Sequence, residues 1–208
     1  MKKISLVTSL FVVGVTAYAL AFASGTKAAV KVGASAPTFS ATDSSGKSVK
    51  LEDYKGKFVV LEWSNFGCPY VQKHYNSGNM QSLQKKYTEK GVVWLTIFSS
   101  AKGMQGYYTD AQLTKLAAEK KMSSKLIADP EGTIGKLYNA KNTPTMFVIN
   151  PEGSVIYMGG IDDMATPDPE DIPKSKNYVA AALDEALAGK PVTTSVSRPY
   201  GCSVKYKD

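Results

Sequence analysis

The stretch FVVLEWSNFGCPYVQKHY, Phe58 to Tyr75, constrains this chain more than any other. FVVLEW is a short apolar run rich in β-formers and is predicted to be a central strand. Pro69 suits the first turn of a helix, where its missing N–H leaves nothing unsatisfied. Cys68 therefore stands at a strand-to-helix junction. A cysteine there faces unpaired backbone N–H groups and the positive end of the helix dipole. Both favour the thiolate, which is the nucleophilic form of the side chain. The helix is predicted to run from about Pro69 towards Tyr87, interrupted near Asn76–Asn79, with Asn76 or Ser77 capping its second part.

The remaining pattern supplies strands and helices in alternation. APTFSATDSSGKSVKLEDYKGK reads as a β-hairpin with Gly46 in its turn, and VVWLTIFSS as a second core strand. Thr109 or Asp110 caps the helix AQLTKLAAEKKM. KLIADPEG reads as a short strand and turn, and TIGKLYNA as a short helix. TMFVINPEGSVIYMGG is the clearest hairpin, two apolar strands around Asn150-Pro151-Glu152-Gly153. A Pro- and Asp-rich loop, Ala165–Pro173, leads to the helix NYVAAALDEALAG, ended by Gly189 and Pro191. The order implies an α/β fold: a three-layer α/β/α sandwich with a mixed central sheet and an N-terminal β-hairpin.

The chain begins with Lys2 and Lys3, an uncharged segment Ile4–Leu20, and the small-x-small sequence Ala21-Phe22-Ala23. That is the pattern of a secretory signal peptide over residues 1–23; uncleaved, it would be a membrane anchor. Residues 24–35 read as a flexible lead-in, 36–189 as the folded domain, and 190–208 as a C-terminal tail without periodicity. The expected location is exported, the periplasm of a bacterium. The formal charge of +7 falls to +5 without the signal and is spread along the chain. With no dense basic block interleaved with aromatics, nucleic-acid binding has no support. Cys68 and Cys202 are the two cysteines and His74 the single histidine, too few for most metal sites, and no metal or other cofactor is expected. In an exported chain an even cysteine count favours a disulfide.

Three passages resemble the thioredoxin-like superfamily, in particular its redoxin branch of alkyl hydroperoxide reductase/thiol-specific antioxidant proteins and exported thiol-disulfide oxidoreductases. FVVLEWSNFGCPYV resembles the strand-to-active-site turn. NTPTMFVINPEG resembles the cis-proline loop, with Pro144 as the cis-proline, and the hairpin after it. The stretch from Ala36 to Leu61 resembles the opening hairpin of the redoxin branch. The resemblance implies that Thr143 and Pro144 present a backbone edge that holds a substrate chain beside the reactive sulfur; only an X-Pro bond makes a cis peptide cheap. Pro69 and Tyr70 would flank the substrate. It also implies that Glu62 is a buried acid assisting proton transfer, a task suited to a raised pKa. Strand alternation pointing Glu62 to a polar face is the plain alternative.

The departures are as informative. Val71 stands where a Cys-x-x-Cys motif has its second cysteine. Leu61 and Asn65 stand at the fixed Pro and Thr/Ser places of the peroxiredoxin motif, and the chain's single arginine, Arg198, is in the tail. A peroxidase would need the tail to fold back or a lysine such as Lys73 to substitute, and lysine lacks the planar fork of arginine. RPYGCSVKY supplies Cys202. Fourteen residues separate it from the last helix, a reach of about 45 Å when extended. Gly201 permits close backbone approach. Cys202 is thus either the resolving thiol for Cys68 or half of a permanent disulfide, which would stabilise the fold by about 4–5 kcal/mol on the chain-entropy model.

Lesser candidates have plain readings. His74 and Lys73 fall on the helix after Cys68, where a lone histidine is usually exposed or locally hydrogen-bonded. Trp63 and Trp94 belong to the core, and Asp162, Asp163 and Asp168–Glu170 read as loop acids. The favoured function is an exported thiol-disulfide oxidoreductase, with Cys68 as nucleophile and Cys202 as distant resolving thiol. Its partners would be a protein or small-molecule disulfide, or a peroxide, and an external thiol electron donor. The alternatives are a peroxiredoxin-like thiol peroxidase and a non-catalytic exported binding domain. In the latter the disulfide is structural, and an aromatic rim of Phe66, Tyr70, Tyr107 and Tyr108 meets a partner.

Overall fold

A computed structural model describes residues 29–207; the expected signal peptide lies outside them. The opening hairpin forms as expected: β1 (Ser40–Thr42) and β2 (Ser48–Lys50) pair antiparallel across a turn that holds Gly46 at φ +83°. The expected central strand is β3 (Val59–Trp63). Beside it run β4 (Val93–Phe98) and β5 (Lys125–Ala128), both parallel to it; on its other side β7 (Thr145–Ile149) pairs antiparallel with it and β8 (Val155–Gly159) antiparallel with β7, giving the order β5-β4-β3-β7-β8.

Period-2 alternation splits the strand residues between two cores. Val60, Trp94, Phe98, Met146 and Val148 face one side, where α1 (Pro69–Asn76), α2 (Asn79–Thr88), α3 (Asp110–Glu119) and α5 (Tyr178–Leu187) contribute Val71, Leu83, Leu113 and Leu183. Val59, Leu61, Trp63, Leu95 and Ile97 face the other, against Ile134 of α4 (Thr133–Leu137). Both tryptophans are core residues, as expected. The result is the three-layer α/β/α arrangement read from the sequence.

Four local expectations need correction. The second part of the interrupted helix is capped by neither Asn76 nor Ser77. Gly78, at φ +77°, is its N-cap, because the chain must turn through the left-handed region between α1 and α2. The lead-in expected to be loose is tied down over residues 29–35: Val30 and Val32 pack on the core, and the Gly33 N–H donates to the Val155 carbonyl. Part of the Pro- and Asp-rich loop coils into a 3-10 turn, Pro169–Lys174, capped by the Asp168 side chain. The tail, expected to be irregular, contributes a two-residue strand, β9 (Cys202–Ser203). It pairs antiparallel with β6 (Asn142–Thr143), so that Thr143 stands opposite Cys202.

Candidate active site

The loop between β3 and α1 is built to deliver Cys68. Asn65 accepts a hydrogen bond from the Gly67 N–H at 2.8 Å, its carbonyl accepts from the Cys68 N–H at 2.9 Å, and its side-chain amide reaches the Gln105 carbonyl. Gln105 returns a bond to the Gly67 carbonyl. Gly106 has to lack a Cβ, which would overlap the Asn65 side chain. Cys68 is the N-cap of α1 and Pro69 its first residue. The Cys68 side chain is fully buried, and its Sγ lies 3.3 Å from the Thr143 carbonyl oxygen. The Thr143–Pro144 bond is cis.

The tail closes this site. Besides the β6–β9 pairing, the Asn142 side-chain amide donates to the Gly201 carbonyl, the Val204 N–H to the Lys141 carbonyl, and the Ala101 N–H to the Lys205 carbonyl. Gly201 takes φ +113°, and a Cβ there would overlap the Thr143 carbonyl oxygen, so the close approach requires glycine. Cys202 thus stands opposite the residue whose carbonyl Cys68 Sγ approaches. Burial, and then the neighbouring Cys68, push the Cys202 thiol up to about 12, so Cys202 keeps its proton at neutral pH. Both cysteines are free thiols in this structure. The expected residues Cys68, Pro69, Thr143, Pro144 and Cys202 are thus brought together, and half-buried Tyr70 packs at a tilt against Tyr200 with ring centroids 5.8 Å apart.

Glu62 stands apart. It is fully buried and makes no hydrogen bond to Cys68 among the described residues. Its Oε1 accepts from the Tyr75 hydroxyl at 2.7 Å; Oε2 accepts from Trp94 Nε1 at 2.9 Å, with Gln84 Nε2 and the Thr96 hydroxyl each at 3.2 Å. Burial raises its pKa, and these four donors only partly offset the effect. Tyr75 also packs edge-on against Phe66, two residues before Cys68. Strand alternation does point Glu62 to a polar place, but one enclosed beneath the site rather than open to water.

The plain readings hold in part: His74 is locally hydrogen-bonded, to Asn79, and Asp162 lies in a loop, but both are buried, as is Lys73. The Lys73 ammonium donates to the Met164 carbonyl at 2.8 Å and lies 3.5 Å from Asp162 Oδ2. It is committed there and does not take the place of an arginine beside the reactive sulfur. Burial pushes His74 down to about 4, against the pull of Asp162, so the ring is neutral at pH 7 and its 3.7 Å contact with Asp162 is no ion pair. Asn79 Nδ2 lies 2.8 Å from His74 Nδ1, His74 Nε2 lies 3.3 Å from the Tyr200 hydroxyl, and that hydroxyl donates to Asp162 Oδ1 at 2.5 Å. A neutral ring with its proton on Nε2 makes this a one-way chain of donors ending on Asp162 Oδ1, while the buried Oδ2 accepts no hydrogen bond among the described residues and has the Lys73 ammonium at 3.5 Å beside it. No sequence motif marks this cluster. The only available signal was a lysine and a histidine on consecutive positions of a helix that must pack on the sheet. Phe66 too is buried, against Phe98 and Tyr108 as well as Tyr75, and is no contact rim. Tyr107 and Tyr108 line a 740 Å³ groove with Phe39 and Pro130 that includes neither cysteine.

Comparison with known proteins agrees with this geometry. The family model described as the AhpC/TSA family matches residues 32–158. Thiol-disulfide oxidoreductase ResA of Bacillus cereus is 31% identical over 144 residues, covering 69% of this chain and 77% of the relative. ResA of Bacillus subtilis is 28% identical over 148 residues, covering 69% and 74%. A hypothetical protein of Sinorhizobium meliloti shares the fold at TM-score 0.74 and 21% identity, over 86% of this chain and 97% of that one. A putative thiol:disulfide interchange protein DsbE of Chlorobium tepidum aligns at TM-score 0.52 and 27% identity, over 62% and 85%. With its mixed five-stranded sheet and its cysteine at a strand-to-helix junction, the chain belongs to the AhpC/TSA family, redoxin-type oxidoreductases of thioredoxin-like fold.

Proposed function

We propose that this chain is an exported thiol-disulfide oxidoreductase in which Cys68 is the nucleophile and Cys202 the resolving thiol. The observation that carries the reading is the placement of the tail. Cys202 sits opposite Thr143 in the β6–β9 pair, and the Thr143 carbonyl lies 3.3 Å from the Cys68 sulfur, so the tail brings a second thiol to the site although Val71 stands at the second place of a Cys-x-x-Cys motif. Cys68 thiolate attacks a substrate disulfide, forming a mixed disulfide and releasing one substrate thiolate. Cys202, on losing its proton, attacks the Cys68 sulfur. The second substrate thiolate leaves, and a Cys68–Cys202 disulfide remains. Two electrons from an external thiol donor restore the dithiol. Glu62, with its raised pKa, is suited to relay the proton, and Thr143, Pro144, Pro69 and Tyr70 border the reacting sulfur. The names of the ResA relatives support disulfide exchange over peroxide reduction. So do Leu61 and Asn65 at the peroxiredoxin positions and the commitment of Lys73 to Asp162. Export rests on the N-terminal sequence pattern.

The test is a redox titration in graded thiol buffers, with free thiols alkylated and both cysteine peptides read by mass. A Cys68–Cys202 bond with a potential above about −300 mV supports a working pair; a more reducing bond would make it a structural staple. Turnover with a disulfide substrate should vanish in Cys68→Ser, and Cys202→Ser should accumulate the mixed disulfide. Unimpaired turnover in Cys68→Ser would sink the assignment.

A further inference from the structure

We propose that Tyr200 is a positioning residue that seats the tail on the buried Lys73–His74–Asp162 group, and that the segment it anchors, Tyr200–Ser203, is a strap occupying the Thr143 edge in place of a substrate chain. The inference deepens the reading above and rests on it for the role of Cys202.

Four observations carry it. Cys68, the expected nucleophile, has no exposed surface, whereas Cys202 is half-buried. Cys68 and Tyr200 belong to one core cluster, against which Cys202 and Tyr70 pack, and the Tyr70 ring lies tilted against Tyr200. The ladder positions beside Thr143 are filled by Cys202 and Ser203, with Asn142 held to the Gly201 carbonyl. An incoming extended chain needs those same backbone groups, and one set of donors and acceptors cannot serve two strands. Finally, the strap has a dedicated receptor. The Tyr200 hydroxyl bonds the Asp162 carboxylate and meets His74 Nε2, and the Lys73 ammonium lies 5.9 Å from the Tyr200 ring centroid. Lys73 and His74 belong to the helix that Cys68 caps, so the anchor is built into the element that aims the nucleophile. Tyr200 lies only two residues before Cys202. Docking it confines that sulfur to the neighbourhood of Cys68 and raises its effective concentration there. A polypeptide disulfide reaches Cys68 when the strap lifts, and relatching returns Cys202 to resolve the mixed disulfide.

The experiment uses the Cys202→Ser chain, in which Cys68 is the one thiol left, and measures the rate at which iodoacetamide alkylates it. Adding Tyr200→Phe removes the hydroxyl that reaches Asp162; adding Gly201→Ala blocks the approach to Thr143 without touching the buried group. Each is expected to speed alkylation roughly tenfold or more, the size expected for losing a hydrogen bond to a charged group. Near-ultraviolet circular dichroism and the thermal midpoint serve as folding controls. Capture of a peptide disulfide by Cys68 in the same background should accelerate in parallel. With Cys202 restored, Tyr200→Phe should lower the effective concentration of the pair about tenfold, moving its potential up by about 30 mV. Unchanged alkylation in both variants, with the fold intact, overturns the strap even if the Cys68–Cys202 disulfide forms and is labile. Conversely, faster alkylation in a protein whose two cysteines never pair leaves the strap standing and removes the resolving role of Cys202.

Discussion

Two buried carboxylates approach α1 from different sides, and the helix treats them differently. Tyr75 turns to Glu62, while Lys73 and His74 turn to Asp162. Glu62 is met by neutral donors from Tyr75, Trp94, Gln84 and Thr96, all on core strands and helices, so desolvation dominates and its pKa rises. Asp162 is met by a cation, a neutral ring and a phenol, and the phenol comes from the tail. The first arrangement suits a group that exchanges a proton, the second one that fastens a segment. A buried acid is therefore defined by the partners around it, not by burial alone.

The largest effect should come from breaking the ion pair. Asp162→Ala leaves the Lys73 ammonium buried and unmatched and should cost about 3–5 kcal/mol in denaturant unfolding, whereas Lys73→Met with Asp162→Asn should recover much of the loss. A loss below about 1 kcal/mol would mean that water already reaches Lys73.

The next effect is in pH dependence, where the two regions should have opposite signs. His74 has a folded pKa near 4 against 6.5 when unfolded, so the unfolded chain binds more protons between those values. Stability contributed by the neutral ring is full above pH 6.5 and is lost as pH falls towards 4. The loss is on the order of 3 kcal/mol, and His74→Gln should remove it. Glu62 has a raised folded pKa, so its contribution is full below 4.5 and is lost as pH rises through the folded value. Unfolding free energies of Glu62→Gln and His74→Gln, measured across pH 4–8, should diverge from the parent in opposite directions.

Glu62→Gln keeps the shape of the side chain and removes the exchangeable proton. If the acid relays protons, turnover should fall on the order of 100-fold, whatever the stability difference from the parent. Unchanged turnover would leave Glu62 a structural group and erase the contrast with Asp162. The smallest effect is a control that involves neither acid: Thr109 caps α3 in a reciprocal capping box with Gln112. Thr109→Ala should cost about 1 kcal/mol and leave cysteine reactivity untouched.

Much of this architecture was legible because its signals are local. FVVLEW is β-branched, apolar and the length of a strand, and a Cys-Pro step after it can start a helix, so β3, α1 and the place of Cys68 follow from neighbouring residues. The hairpin around Asn150–Gly153 and the Thr109 cap are legible for the same reason. The Gly78 cap was missed because an αL turn between two helices competes with side-chain caps that look equally good in sequence. That Lys73, His74 and Asp162 are buried together was not legible. Their burial depends on one another and on Tyr200, and partners separated by up to 127 positions leave no periodic trace.

The sequence by itself determined the α/β order, the helix-capping cysteine, the absence of a local second thiol and the glycine that lets Cys202 come close. Each is set by backbone propensities and by which side chains exist. Only the tertiary structure decided that the tail lies on the Thr143 edge, that Cys68 and Cys202 both come to Thr143, and that the anchor is a buried cluster on α1. Reach alone allows a 14-residue tail many resting places; the two-residue strand pairing and one phenol seated on a carboxylate select a single one.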